Sequence, residues 1–155
     1  MCIRDRFCIV PEGHALARRN RISAADIVRH PLIGIDPNDP YGRIMAGIFA
    51  RLGLTYEVTI KARFGTMVCA LVGRGLGIAV IDEFTLAAGT WPNIVALPIV
   101  ESTEFQTYIA FRRDAILSSY CEHFIALLRR EMEALHGGKT GPGKKVTSGL
   151  RKPKS

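Results

Sequence analysis

The sequence predicts an α/β fold in which short apolar strands alternate with amphipathic helices. Apolar runs at residues 7–10, 32–35 and 78–81 are bounded by glycine, proline and polar residues, which is typical of buried strands. A strand pattern at 57–64, a helical stretch and the run at 78–81 follow one another within about 25 residues, which indicates a parallel crossover. The composition, 48% hydrophobic and 23% charged, is that of a globular domain and excludes collagen-like, coiled-coil and wholly disordered chains.

Local signals place the helices. Ser23 and Asp26 match a capping box and predict a short helix that ends near residue 29. Two prolines and three side-chain acceptors at 36–40 forbid regular structure but prepare a helix start, and Gly53 closes the helix that follows. In chain order, we predict strands at 7–10, 32–35, 57–64, 78–81, 94–97 and 107–111, helices at 23–29, 41–52, 66–74 and 82–88, and a long final helix with Tyr120, Phe124, Leu127, Leu128 and Leu135 on one side.

Charge separates a nearly neutral body from a basic tail. Residues 1–135 hold 15 basic and 14 acidic side chains, a net +1, whereas residues 136–155 hold six basic side chains and no acid. The tail has no apolar periodicity, so we expect it to be disordered. It could touch nucleic acid electrostatically, but it lacks aromatic residues for base stacking, and a solvated terminus is the alternative that we favour.

The four cysteines and the apolar stretches indicate a soluble protein of a reducing compartment. Cys2, Cys8, Cys69 and Cys121 form no C-x-x-C pair, three of them lie in apolar segments, and we interpret them as small buried hydrophobes. No apolar stretch approaches the roughly 18 residues that span a bilayer, and the first residues lack the apolar core of a signal peptide. We therefore expect a cytoplasmic protein with no membrane partner.

The patterns that could carry catalysis or hold a metal each have a simpler interpretation. Cys121 and His123 point to different faces of a helix, and the four histidines share no metal-ligand spacing. Asp82 and Glu83 open a helix, where acids act as caps. The glycine run at 73–77 follows a helix and opens a strand, the reverse of a nucleotide-binding loop, so it ends the helix. We therefore predict no catalytic residue, no metal site, no cofactor and no enzyme activity.

Several segments, taken in their order along the chain, resemble one known family. Residues 10–17, followed by 22–27 and 30–33, and later the helix–glycine–strand unit at 68–79, resemble the effector-binding domain of LysR-type transcriptional regulators. The resemblance covers residues 7–135. Within the family, residues 36–41 and 68–72 are most similar to regulators that respond to opines, lysine-pathway intermediates and related amino-acid derivatives.

The resemblance implies a type 2 periplasmic-binding-protein fold, with a small effector bound between two α/β subdomains. It implies that this chain holds mainly the second subdomain, together with the returning strand and last helix of the first. It also implies that an N-terminal winged helix-turn-helix, which binds DNA, and a linker helix, which forms the homo-oligomer, are missing. Residues 1–6 have no counterpart in the family, so we expect a foreign or mis-assembled start and a truncated regulator.

Physical chemistry predicts an effector site at two loops, residues 36–42 and 63–66, each of which joins a predicted strand to the next helix. Ligands of open α/β sheets bind outside the carboxyl ends of parallel strands, where helix N-termini offer unpaired N–H groups to an anion. Thr66 adds a hydroxyl and Arg63 a guanidinium. Alternatively, Thr66 is a simple N-cap, Arg63 a solvated strand residue, Gly65 a turn residue, and Tyr41 and Phe64 only pack. The predicted effector-binding residues are Asp36, Asp39, Tyr41, Arg63, Phe64, Gly65 and Thr66.

Two function classes remain open at this point. The first is the sensor part of a transcription factor that binds a small anionic or amino-acid-like effector. The second is a fragment of a type 2 solute-binding protein of a transporter, which shares the fold. A helix-turn-helix encoded upstream would indicate the regulator, and a secretion signal would indicate the transporter.

Overall fold

A computed structural model of the chain describes residues 2–4, 6–36, 38–101, 105–112, 114 and 116–137. Strands and helices alternate through most of this part, which confirms the predicted α/β class. In chain order, the elements are β1 (Cys2–Arg4), β2 (Arg6–Pro11), a 3-10 helix (Ala15–Arg18), α1 (Ala24–Ile27), β3 (Leu32–Ile35), α2 (Pro40–Arg51), β4 (Val58–Ala62), α3 (Gly65–Gly73), β5 (Ala79–Asp82), α4 (Glu83–Ala87), β6 (Ile94–Pro98), β7 (Phe105–Thr107) and α5 (Ser119–Gly137).

The central sheet brings together five strands. β2 lies between β5 and β6 and is antiparallel to both, while β3 pairs with β4 in parallel. The N–H of Ile33 donates to the carbonyl of Ile78 at 2.8 Å, and the N–H of Ile78 donates to the carbonyl of Pro31 at 3.1 Å. These bonds join the β3–β4 pair to the three strands around β2, so the strand order is β4-β3-β5-β2-β6. The predicted parallel crossover from β4 to β5 is confirmed, and it passes over β3.

Each face of this sheet has its own apolar core, because successive side chains of a strand point to opposite faces. In β2, Cys8 and Val10 point to one face and Ile9 to the other. The first face is covered by α1, α2 and the 3-10 helix, whose buried members include Leu16, Ala24, Ile27, Ile48 and Phe49. The second is covered by α3 and α4, whose buried members are Val68, Cys69, Val72 and Leu86.

The predicted helix ends are confirmed where the signal is local. The Ser23 side chain accepts the N–H of Asp26 at 3.1 Å and begins α1. Gly53 has a φ of 64° directly after α2, a conformation that glycine adopts without a steric penalty. Gly75 has a φ of 79° after α3, which confirms that the glycine run ends a helix and leads into a strand.

The strand predicted at 107–111 is displaced in the structure. The observed strand is β7, at Phe105–Thr107, and it pairs in antiparallel register with β1. This register is set by a partner a hundred residues away in sequence, so the apolar pattern at 107–111 does not fix it; Tyr108 and Phe111 are exposed. The partner strand lies within residues 1–6, whose predicted foreign origin stays a prediction.

The final helix is present, and it extends slightly beyond the predicted body. α5 ends at Gly137, two residues into the segment that we predicted to be a tail. Residues 138–155, where the rest of the predicted disordered tail falls, lie outside the described residues.

Two of the cysteines confirm the prediction of burial and one contradicts it. Cys8 and Cys69 are buried, and desolvation raises the pKa of the Cys8 thiol far above its ordinary value and that of Cys69 to about 11. Neither is a reactive thiolate. Cys121 is exposed on α5, so its interpretation as a buried hydrophobe was wrong. Tyr120 and Phe124 on that helix are exposed as well, which the sequence pattern alone does not reveal.

Candidate functional site

The predicted site lies where three parallel strands end. β3 ends at Ile35, β4 at Ala62 and β5 at Asp82, and each is followed by a loop or a direct step into a helix. The beginnings of α2, α3 and α4 therefore meet at one edge of the sheet, which is the place where open α/β sheets bind ligands. We term this edge, formed by residues 35–36, 38–42, 62–66 and 82–85, the carboxyl edge.

Asp36 organises the loop between β3 and α2. Its carboxylate accepts the backbone N–H of Asn38 at 2.9 Å and the side-chain amide of Asn38 at 3.1 Å, and its carbonyl accepts the N–H of Asp39 at 2.9 Å. Lys61, near the end of β4, forms an ion pair with Asp36 at 3.3 Å. The bond from the Asn38 N–H, followed by the contact with Lys61, lowers the pKa of Asp36 below its ordinary value.

Asp39 caps α2. Its side chain accepts the N–H of Tyr41 at 2.8 Å, and Pro40 occupies the first helical turn, where a missing N–H has no cost. The prediction that this loop prepares a helix start is therefore confirmed. The Asp39 carboxylate is engaged in capping, as the Asp36 carboxylate is engaged with Lys61 and Asn38.

Tyr41 points along the edge to the end of β5. Its hydroxyl donates a hydrogen bond to the carboxylate of Asp82, a residue that is only 3% exposed. Asp82 is also the N-cap of α4, where it accepts the N–H of Thr85 at 2.9 Å and the Thr85 hydroxyl at 2.7 Å. The prediction that Asp82 is a helix cap is confirmed, and the partnership with Tyr41 is an addition that sequence reasoning missed.

The loop between β4 and α3 presents donors to solvent. Phe64 is the N-cap of α3 but makes no side-chain capping bond, and it is 58% exposed. The guanidinium of exposed Arg63 lies 5.7 Å from the centre of the Phe64 ring. Thr66 is exposed and is the second residue of the helix, so the alternative that it serves as the N-cap was wrong.

Gly65 begins α3 in close contact with α4. A Cβ atom at Gly65 would lie 2.8 Å from Thr85 Oγ1, 2.9 Å from Thr85 Cγ2 and 3.1 Å from Ile81 Cδ1. Real Cβ atoms do not approach other atoms so closely, so only glycine lets the two helix starts pack in this way. Gly65 therefore serves the contact between α3 and α4 as well as the turn.

The start of α3 offers several hydrogen-bond donors that the protein does not use. Among the described residues, the Arg63 guanidinium and the Thr66 hydroxyl have no hydrogen-bond partner, and the N–H groups of Gly65 and Thr66 have none within the helix, whereas those of Met67 and Val68 donate to the Phe64 carbonyl. The carboxylates of Asp36, Asp39 and Asp82, by contrast, all accept bonds from the protein. The role of the predicted residues in effector binding stays a prediction; in the structure, Lys61 contacts Asp36, Asp82 contacts Tyr41, and Thr85 contacts Gly65.

Two further features bear on metal binding and on membrane crossing. In the part of the chain that the structure describes, no group of three or more His, Cys, Asp or Glu side chains lies close enough to hold a metal ion. Nor does any helix within the described ranges combine the length and the apolar character needed to cross a membrane.

Comparison with known protein families identifies the fold. The family model described as the LysR substrate-binding domain matches residues 2–133. The chain belongs to the LysR substrate-binding domain family. The resemblance predicted from the sequence is confirmed, and with it the type 2 periplasmic-binding-protein-like fold.

Curated relatives of this LysR-type domain are transcriptional regulators. The transcriptional activator protein LysR of Escherichia coli (strain K12) is 26% identical over 81 residues, which are 52% of this chain and 26% of that protein. The regulatory protein NocR of Agrobacterium tumefaciens (strain T37) is 27% identical over 78 residues, 50% of this chain and 26% of that protein. The chain thus spans about a quarter of these relatives. Their functions favour the regulator over the solute-binding-protein alternative.

Solved structures show the same fold at lower sequence identity. The regulatory domain of CcmR from Synechocystis PCC6803, in complex with 2-PG, superposes with a TM-score of 0.70 at 19% identity, covering 85% of this chain and 64% of that one. The effector-binding domain of QuiR, in complex with shikimate, has a TM-score of 0.68 at 18% identity, covering 86% and 63%. The predicted opine- and lysine-related subgroup stays a prediction.

Proposed function

We propose that this LysR-type domain is the effector-sensing part of a cytoplasmic transcriptional regulator, and that the carboxyl edge forms one wall of its ligand cleft. The observation that carries the proposal is the set of unpaired donors at the start of α3, namely the exposed Arg63 and Thr66 side chains and the first N–H groups of the helix, all within residues 63–66. A helix N-terminus with a neighbouring guanidinium and hydroxyl favours an anion. The relatives solved with shikimate and 2-PG support binding of a small molecule in this fold.

The engaged carboxylates indicate which part of the ligand meets this wall. Asp36, Asp39 and Asp82 already accept bonds from Lys61 or from protein N–H and hydroxyl groups, whereas the donors at the start of α3 have no partner among the described residues. We therefore propose that the carboxylate of an anionic or amino-acid-like effector faces α3. Any ammonium group of an opine- or lysine-related ligand would be met by the opposite subdomain.

The rest of the proposed regulator would convert effector binding into a change in DNA binding. We propose that a winged helix-turn-helix outside this chain binds DNA, that the regulator acts as a homo-oligomer, and that the domain itself has no enzyme activity, cofactor or membrane partner. The six basic residues of the tail should give this chain alone only weak, sequence-independent, salt-dependent association with DNA. Effector binding would then change the DNA affinity of the whole regulator by favouring one arrangement of its domains.

Calorimetric titration of the full-length regulator tests the proposal. With lysine-, arginine- and opine-type compounds as probes, Thr66→Ala should remove a hydrogen bond to a charged group and cost roughly 1.5–3 kcal/mol, or about ten- to hundredfold in affinity. Arg63→Gln should act in the same direction.

Thr59→Ala is the matched control, because Thr59 is an exposed threonine of β4 that lies before the carboxyl edge. Its affinity should equal that of the wild type. If Thr66→Ala and Arg63→Gln both bind the probes as tightly as the wild type, these residues do not belong to the site.

A further inference from the structure

Asp82 carries a buried negative charge that three donors from two helices satisfy. It is 3% exposed, and it accepts the Thr85 N–H at 2.9 Å, the Thr85 hydroxyl at 2.7 Å and the Tyr41 hydroxyl. A cap of α4 would need only the first of these bonds. A buried carboxylate is costly unless it is well paired, so the two hydroxyl bonds hold both partner side chains in fixed positions.

The Thr85 side chain, which Asp82 fixes, in turn limits the position of α3. Its hydroxyl is held by Asp82, and both its Oγ1 and its Cγ2 lie against Gly65, where a Cβ atom would be 2.8 Å and 2.9 Å away. Rotation of Thr85 would therefore change the surface on which the first residue of α3 packs. The start of α3 is located by a side chain whose own position depends on Asp82.

The Tyr41 side chain links the same carboxylate to α2. Tyr41 follows Asp39 and Pro40 in the first turn of that helix, and it reaches Asp82 across 41 positions of sequence. One oxygen, Oδ2, accepts both the Tyr41 and the Thr85 hydroxyl groups. The beginnings of α2, α3 and α4 are thus connected through a single buried atom.

We propose that Asp82 is a positioning residue, which holds the start of α3 through Thr85 and is itself fixed to the start of α2 by Tyr41, so that α3 keeps the orientation that ligand binding requires. The effect on ligand binding rests on the proposed function, because the donors that Asp82 would hold in place are those of Arg63, Gly65 and Thr66. The structural basis of the proposal is independent of any ligand. Sites whose supporting residues are fixed in this way bind without a further ordering cost, which is the advantage of preorganisation.

The test removes single hydroxyl groups and measures local opening of α3. Amide hydrogen exchange is followed at Met67 and Val68, whose N–H groups donate to the Phe64 carbonyl at 3.0 Å and 3.1 Å and so report the first turn. Tyr41→Phe keeps the ring and Thr85→Val keeps the side-chain shape. Each should speed exchange at these two amides by at least about fivefold, as expected for the loss of one hydrogen bond to a charged group.

Tyr56→Phe is the matched control. Tyr56 is half-buried against Phe49, with ring centres 5.0 Å apart, and among the described residues its hydroxyl has no hydrogen-bond partner. Exchange at Met67 and Val68 should be unchanged in this variant. Exchange in strand β2 serves as the internal reference and should be unchanged in all three variants.

The outcomes separate the positioning role from the proposed function. Unchanged exchange at Met67 and Val68 in both Tyr41→Phe and Thr85→Val would overturn the proposal, as would an equal increase in β2, which indicates global destabilisation. Titration of the same variants of the full-length regulator with lysine-, arginine- and opine-type probes should show weaker binding than Tyr56→Phe. If none of these probes binds the wild type, that result counts against the proposed function, whereas the exchange experiment still decides the role of Asp82.

Discussion

Gly42 packs directly against the backbone carbonyl of Asp36. A Cβ atom at Gly42 would overlap the carbonyl oxygen and would lie 2.8 Å from its carbon. That carbonyl cannot turn away freely, because it accepts the Asp39 N–H at 2.9 Å in the turn before α2. The helix and the loop of the carboxyl edge therefore approach each other at a distance that only glycine permits.

Gly42→Ala should therefore destabilise the domain, even though alanine favours helices. Overpacking of this kind typically costs about 1–3 kcal/mol, which exceeds the gain of about 0.5–1 kcal/mol from replacing a helical glycine. Gly47→Ala is the control in the same helix, since a Cβ atom there would meet nothing within 4 Å. Urea unfolding should show a lower midpoint for Gly42→Ala and a higher one for Gly47→Ala. Equal midpoints in the two variants would contradict this packing.

The parts of the fold that the sequence predicted correctly depend on neighbours along the chain. The Ser23 cap, the Asp39-Pro40 helix start and the Gly53 helix end each involve residues within a few positions of one another. The strand at Leu32–Ile35 was predicted at its observed bounds because turn residues flank its apolar run. Such signals act before any tertiary contact forms, so periodicity and capping rules are sufficient to find them.

The parts that were missed depend on residues distant in sequence. β7 is located by its pairing with β1, and the Tyr41 hydroxyl bonds to Asp82, 41 positions away. For Tyr41, the sequence could only suggest a pocket wall or ordinary packing, because nothing local specifies a partner for the hydroxyl. The resemblance to a family pointed to the loops of the carboxyl edge, whose role in binding stays a prediction, and it did not identify Thr85, which touches Gly65 from another helix.

His14 should make the stability of the domain depend on pH near neutrality. Its Nδ1 atom accepts the N–H of Leu16 at 3.2 Å and caps the 3-10 helix, which requires an unprotonated nitrogen. Partial burial, followed by the proximity of His30, lowers the pKa of His14 below its ordinary value of 6.5. Below pH 6.5 the unfolded chain thus binds a proton that the folded chain resists, so stability should fall as the pH falls through this value, towards the lowered pKa.

The variant His14→Asn should flatten this dependence, because asparagine is a good N-cap that does not titrate. His123→Asn is the control: His123 lies on α5, where it is exposed. Urea midpoints measured between pH 7.5 and 5.5, roughly one unit on either side of the ordinary histidine pKa, would show a shallower slope for His14→Asn alone. The same slope in the wild type and in His14→Asn would mean that another group is responsible.

The lowered pKa values of Asp26 and Asp36 affect stability in a separate, more acidic range of pH. There, stability is lost as the pH falls below their ordinary pKa of 3.8.

The apolar side of α5 should make the isolated chain associate with itself. Tyr120 is 87% exposed and Phe124 is 64% exposed, one helical turn apart. Large exposed apolar patches are uncommon on soluble monomers and mark contact surfaces or sites of aggregation. We therefore expect sedimentation velocity to show concentration-dependent association of the 155-residue chain.

The double variant Tyr120→Ser/Phe124→Ser should shift this chain towards monomer, because it removes the two most exposed aromatic rings of α5. Ile44→Ser/Leu76→Ser is the matched control, since these two side chains are also exposed but lie on α2 and in the turn after α3. It removes a comparable number of apolar groups from a different surface, so its association should resemble that of the wild type. A wild-type chain that sediments as a single monomer at every concentration would show that the α5 surface is tolerated. Equal effects of the two double variants would show that association depends on overall apolar exposure and not on this helix.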